Sequence, residues 1–128
     1  MGLTIENSVR TAMCDAAVDL LDVGAGTAQM KLTSVADVVL SEHNLANPAC
    51  GGAVNGVATL NAVSDDLDAN ATGDATKCKW YDRNAALRWT GTVTATAGGG
   101  DVELNSITIT QHVKVSITAG GTITQPAS

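Results

Sequence analysis

Between Thr4 and Leu21 the apolar residues Val9, Met13, Ala16 and Leu20 recur at steps of four, three and four, forming one stripe with the period of an amphipathic helix. Thr4 is placed to cap its start, and "DVGAG" ends it, Gly24 and Gly26 supplying backbone freedom. Asp15, Asp19 and Asp22 lie toward the C-terminal end, where the helix dipole disfavours negative charge. Their placement therefore serves something besides helix stability: either a solvated face or a contact with a basic partner.

After the glycines the period changes from 3.6 to 2. "TAQMKLTS" alternates Ala28, Met30 and Leu32 against Gln29 and Lys31, and "ADVVLSEHNL" continues as a second strand. "GVATLNAV" puts Ala58, Leu60 and Ala62 on one face. "ATKCKWYD" sets Thr76, Cys78 and Trp80 against Lys77, Lys79 and Tyr81, and "RNAA" turns it into "LRWTGTVTAT", where Leu87, Trp89 and Val93 share a face. This pair is the clearest hairpin. "AGGGD" breaks the chain before "VELNSITIT" and "HVKVSIT", and "AGGTITQPAS" reads as a frayed end. Seven or eight short strands behind one helix predict a mainly β protein, an antiparallel β-sandwich or barrel-like domain with one N-terminal amphipathic helix. The division expected is a single domain over 1–128, with the helix at about 4–21, a β-rich body at about 27–118 and a flexible C-terminal tail at about 119–128.

Composition sharpens this picture. Aromatics are only Trp80, Tyr81 and Trp89, so core volume must come from Val, Ile, Leu and Ala, which suit pleated sheets. A net charge of −6 without a Lys/Arg cluster argues against a nucleic-acid partner. No apolar run is long enough for a membrane span and no secretory signal is read, so the expectation is a chain made in the cytosol, with no membrane partner.

Candidate chemistry is sparse. Cys14, Cys50 and Cys78 show no C-x-x-C pair and no histidine at metal spacing, leaving buried thiols or an intramolecular or intersubunit disulfide. His43 and His112 stand in no catalytic motif. His112 reads as a residue on the polar face of a strand, and His43 could pair with Cys50 only as a remote nucleophile arrangement. In "SDDLDANATGD", Asp66, Asp68 and Asn70 match half of a calcium loop, but Ala71 replaces the turn glycine and Lys77 the closing Glu, so a solvated acidic loop is the better reading. No catalytic residue, metal site or cofactor is expected, and an enzyme is disfavoured.

The segment "NPACGGAVNGVATLNAV", from Asn47 to Val63, is unusual for chain that must help build a core. Pro48, Gly51, Gly52 and Gly56 would let it turn a corner between sheets or lie flat against a neighbouring subunit, with Cys50 as a small residue at a tight contact. Should Cys50 face Cys78 or a second subunit, oxidation after assembly could tie the two together.

The order of pieces, from "DLLDVGAGTAQMKL" through "VVLSEHNLANPACGGAVNGVATLNAV" and "WYDRNAALRW" to "GGGDVELNSITIT", resembles a family of small structural proteins of tailed-bacteriophage virions. The similarity spans nearly the whole chain. Cys50 departs from the aromatic usual before the first glycine, and "WYDRNAALRW" lacks the family's turn glycine. The resemblance implies a virion component made in the host cytoplasm and not an enzyme. Capsid decoration leads, binding the major capsid protein or other virion proteins as a homo-oligomer, a trimer being favoured. A neck or tail position, or a surface carbohydrate-binding module, is the alternative.

Overall fold

The computed structural model describes residues 3–117 and 122–124. Its elements run α1 (Asn7–Asp19), a 3-10 turn (Leu20–Asp22), β1 (Gln29–Thr33), β2 (Val39–Asn44), β3 (Val57–Thr59), β4 (Gly73–Asp74), β5 (Lys77–Tyr81), β6 (Leu87–Ala95), β7 (Val102–Leu104), β8 (Thr108–Ile109) and β9 (Thr122–Thr124). The protein is mainly β with one N-terminal helix. Five strands form a curled sheet, a half-barrel, in the order β2-β1-β5-β6-β7, while β3 pairs with β9 and β4 with β8.

Strict alternation builds the sheet. In β1, Met30 and Leu32 are fully buried, and their antiparallel partners across the ladders are His43 and Ser41 on β2 and Trp80 and Cys78 on β5. Trp80 in turn faces Trp89, the rings meeting edge-on at 6.1 Å and 60°, an arrangement that the ring quadrupoles favour. On the other face Lys31 lies between Glu42 and Lys79. The like charges there are offset by Glu42, 3.6 Å from Lys31, and by Asp37, which reaches Lys77 at 2.9 Å and Lys79 at 3.1 Å.

The β5–β6 hairpin is present, with one correction to its register. The pairing slips between Trp80 and Tyr81, so Trp80 faces Trp89 but Tyr81 faces Leu87, Arg88 being the extra residue. A bulge of this kind reverses the side-chain alternation beyond it. Leu87 consequently leaves the face of Trp89 and Val93 and is half exposed. The turn itself is built on Asp82, which is buried and accepts the N–H groups of Asn84 (2.8 Å) and Ala86 (3.0 Å) and the Arg88 guanidinium (2.8 Å). The Ala86 N–H above all, with Asn84 and Arg88, holds its carboxyl below the ordinary carboxylate value.

Two further expectations change. "VELNSITIT" splits into β7 and β8, and β7 runs parallel to β6, Val102 beside Val93. Among the described residues of "HVKVSIT", 112–117, there is a single bridge, Val115 to Asp66, and no strand, and His112 stands at φ 65°. Of the tail expected to be loose, Thr122–Thr124 form β9 against β3; the rest lies outside the described residues.

Helix α1 begins at Asn7, after an extended Glu6, and Thr4 does not cap it. Gly24, at φ 113°, ends the run where the chain meets the β5–β6 turn: a Cβ there would sit 2.7 Å from the Asn84 backbone nitrogen. The apolar stripe Val9–Met13–Ala16–Leu20 exists but points outward, and the helix buries Cys14, Val18 and Leu21 instead. At 3.6 residues per turn these two sets are centred about 140° apart around the cylinder. Adjacent leucines separate the two faces, since Leu20 is 41% exposed and Leu21 fully buried. Leu21→Ala should cost about 2–5 kcal/mol through its cavity, whereas Leu20→Ala should stay within roughly 0.5 kcal/mol. Urea denaturation of the two variants checks the assignment.

Candidate interaction surface

The side of α1 next to its buried stripe is polar, and it holds the glycine-rich segment in place. Ala49 N–H donates to Asp22 Oδ1 (3.0 Å), Ala53 N–H to Asp15 Oδ1 (2.7 Å) and Gly56 N–H to Thr11 Oγ1 (3.1 Å). Irregular chain packed against a helix must find acceptors for its amides, and these three side chains supply them. Asp15 and Asp22 thus have internal duties, which explains two carboxylates at the unfavourable end of a helix. Asp19 faces solvent. The spacing of four and seven between Thr11, Asp15 and Asp22 marks one helical face, but nothing local in the sequence says what that face holds.

The residues expected at a subunit contact divide. Gly56 is buried against α1: a Cβ there would come 3.0 Å from Arg10 Cβ. With Asn55 it forms a two-residue turn, φ 51° and 77°, closed by reciprocal Val54–Val57 hydrogen bonds of 2.9 and 3.0 Å, the signature of a type I′ hairpin. Gly51 donates to Thr59 O (3.0 Å), Gly52 is exposed with open space about its Cα, and Pro48 is exposed, following a cis bond from Asn47.

With its polar and small apolar sides occupied, α1 presents Val9, Met13, Ala16 and Leu20 to solvent. Among the described residues eleven large apolar side chains are exposed, and five of them, Leu3, Val9, Met13, Leu20 and Val23, fall within 3–23. So concentrated a share singles out this element, because scattered exposed apolar residues would need no explanation. The spacing of four, three and four is that of a helix-packing seam.

His43 and the three cysteines are enclosed. His43 is fully buried, Nδ1 donating to Ser64 O (2.9 Å) and Nε2 accepting from the equally buried Ser41 hydroxyl (2.9 Å). Cys50 is not its partner. This serine–histidine pair ties β2 to the 63–66 segment. All three cysteines are buried, as the buried-thiol reading has it, and none forms a disulfide within the chain, Cys50 and Cys78 included. Cys50 packs in the core near Cys14, where burial foremost, then Asp22 and Cys14, push its thiol up to about 11. Cys78 Sγ instead accepts the Trp80 indole N–H at 3.4 Å, and burial raises its pKa too. A buried thiol without access to solvent is unsuited to intersubunit bonding.

The acidic stretch is stitched down rather than merely solvated. Asp66 accepts the N–H groups of Glu42 (2.8 Å) and Asp68 (3.0 Å), Asp65 pairs with Lys114 (3.2 Å), and Asp68 meets His112 Nδ1 (2.7 Å). Among the described residues no cluster of His, Cys, Asp or Glu could hold a metal ion, and no helix is long and apolar enough to cross a membrane. A cavity of about 400 Å³ is lined by residues between Leu104 and Ser116, Ile109, Lys114 and Val115 among them.

No family model matches the chain, and neither a curated protein nor a solved structure matches it.

Burial dominates at His43 and lowers its pKa below the ordinary 6.5, against the raising effects of the Ser64 carbonyl, Asp66 and Asp65. The unfolded chain therefore takes up a proton near 6.5 while the folded one stays neutral. The stabilisation is complete above 6.5 and is lost as pH falls from there to the depressed folded value. The drop in urea midpoint from about pH 7.5 to about pH 5.5 should be larger in the wild type than in His43→Gln, His112 being common to both.

Proposed function

We propose that this chain is a structural subunit of a tailed-bacteriophage virion, a decoration protein that docks on the major capsid protein of the head lattice through the outer face of α1. The observation that carries the reading is the exposed seam Val9–Met13–Ala16–Leu20 on a helix whose other sides are already engaged. A protein that leaves Val9, Met13 and Leu20 of one helical stretch in water has a surface suited to another protein.

Size favours a lattice over a solitary partner. Thirteen helical residues span about 20 Å, which offers well under the roughly 800 Å² per partner of a standard stable interface. One such contact is weak. Repetition over a symmetric shell, with the subunits themselves forming a closed homo-oligomer, converts many weak contacts into firm attachment. The half-barrel supplies a compact β body to carry the docking helix, and the virion is the place of action of a chain made in the host cytoplasm. A carbohydrate-binding module is less well supported: Trp80 is buried, and Lys31 Nζ covers the Tyr81 ring at 4.9 Å from its centroid, which leaves little aromatic surface for a sugar.

Met13→Asp places a charge in the seam without touching the core. The variant should keep the wild-type melting temperature and fail to co-purify with particles, while labelled wild-type protein coats the head uniformly. A single labelled spot per particle would move the protein to the neck or tail, and absence from washed infectious virus would refute the reading.

A further inference from the structure

Asn55 is the only asparagine in the sequence followed by glycine. An Asn-Gly pair is intrinsically prone to self-modification: the glycine backbone nitrogen loses its proton and attacks the asparagine side-chain carbonyl carbon, which forms a C–N bond and expels ammonia. Water then opens the resulting five-membered imide on either side, giving aspartate or isoaspartate. Glycine favours the attack because no Cβ hinders it. The balance is one water consumed and one ammonia released, with no oxidant or enzyme required.

In the folded protein this pair forms the tip of the type I′ turn that rests on α1. Asn55 is exposed to water, but the attacking group is not free, since Gly56 N–H donates to Thr11 Oγ1 at 3.1 Å and Gly56 is itself buried. The turn is further closed by the two Val54–Val57 hydrogen bonds, and the Arg10 side chain lies against Gly56. Deprotonation and attack by that nitrogen require the turn to lift from the helix first.

We propose that Asn55 is a latent deamidation site whose rate is set by the docking of the 54–57 turn on α1, with the Thr11 hydroxyl as the restraint. Reaction there introduces a carboxylate on the turn that Arg10 contacts. The isoaspartate product also adds a methylene to the main chain of a two-residue turn, so the register between Val54 and Val57 and the seat of Gly56 on Thr11 are both lost. Conversion is irreversible, and it marks each molecule whose turn has opened.

The test follows isoaspartate at residue 55 by peptide mass mapping, with released ammonia as a second readout, in folded wild type, Thr11→Val, Thr11→Ser and urea-unfolded wild type at one mildly alkaline pH. The unfolded chain should convert readily and folded wild type much more slowly. Thr11→Val, shown to be folded by circular dichroism, should convert roughly three- to tenfold faster than wild type, the factor by which losing one net hydrogen bond shifts an opening equilibrium. Thr11→Ser should match wild type. Equal rates in folded and unfolded wild type, no conversion at residue 55 in urea, or Thr11→Val indistinguishable from wild type would each overturn the proposal. The folded and unfolded wild-type comparison stands even if Thr11→Val does not fold.

Discussion

The amides of the glycine-rich segment must be satisfied, and the way this is done orients the whole N-terminal half. Ala49, Ala53 and Gly56 present their N–H groups to α1, and Asp22, Asp15 and Thr11 accept them at 3.0, 2.7 and 3.1 Å. Hydrogen bonds to charged acceptors are the stronger kind, and an unpaired buried amide is costly. Three such contacts along one side of a helix fix its rotation. Cys14, Val18 and Leu21 then turn into the core beside Ala49, Cys50 and Ala58, and Val9, Met13 and Leu20 turn out. The exposed seam is a consequence of satisfying backbone groups elsewhere.

The sheet supplies the fixed platform for this arrangement. Its five strands are locked by alternation, by the Trp80–Trp89 contact and by the Asp82 turn, which also anchors the loop after α1: Gly26 N–H donates to Arg83 O (3.0 Å) and Arg83 N–H to Val23 O (2.9 Å). The 63–66 segment extends the edge beyond β2 through His43, Ser64 and Asp66. The buried polar groups His43 and Ser41 are engaged in this work.

Much of the architecture was legible in the sequence. The period-2 segments around Met30–Leu32 and Cys78–Trp80 located β1 and β5, and the hairpin turn after Asp82 fell where Arg83, Asn84 and the two alanines suggested. The bulge at Arg88 was not legible, because an extra residue leaves no trace in composition, and with it went the facing of Leu87. The parallel return of β7 depends on packing of the 96–101 loop that no local pattern encodes. On α1 the periodicity was real but ambiguous: two apolar stripes share the helix, and the bulkier one reads as the core face. Only the polar line of Thr11, Asp15 and Asp22 breaks the tie, and its meaning depends on a segment some forty residues away. The acidic stretch 65–68 reads locally as a solvated loop because its partners, Lys114 and His112, come from the far end of the chain.

Native-state hydrogen exchange at Ala49, Ala53 and Gly56 tests the central claim most directly, since each amide reports one of the bonds that set the helix rotation. The three should be protected together, and Asp15→Ala should release Ala53 and lower the protection of its two neighbours while the β1 and β5 amides stay slow. Exchange of all three in wild type at the rate of an open loop would mean that α1 is not held this way, and the outward seam would lose its structural basis.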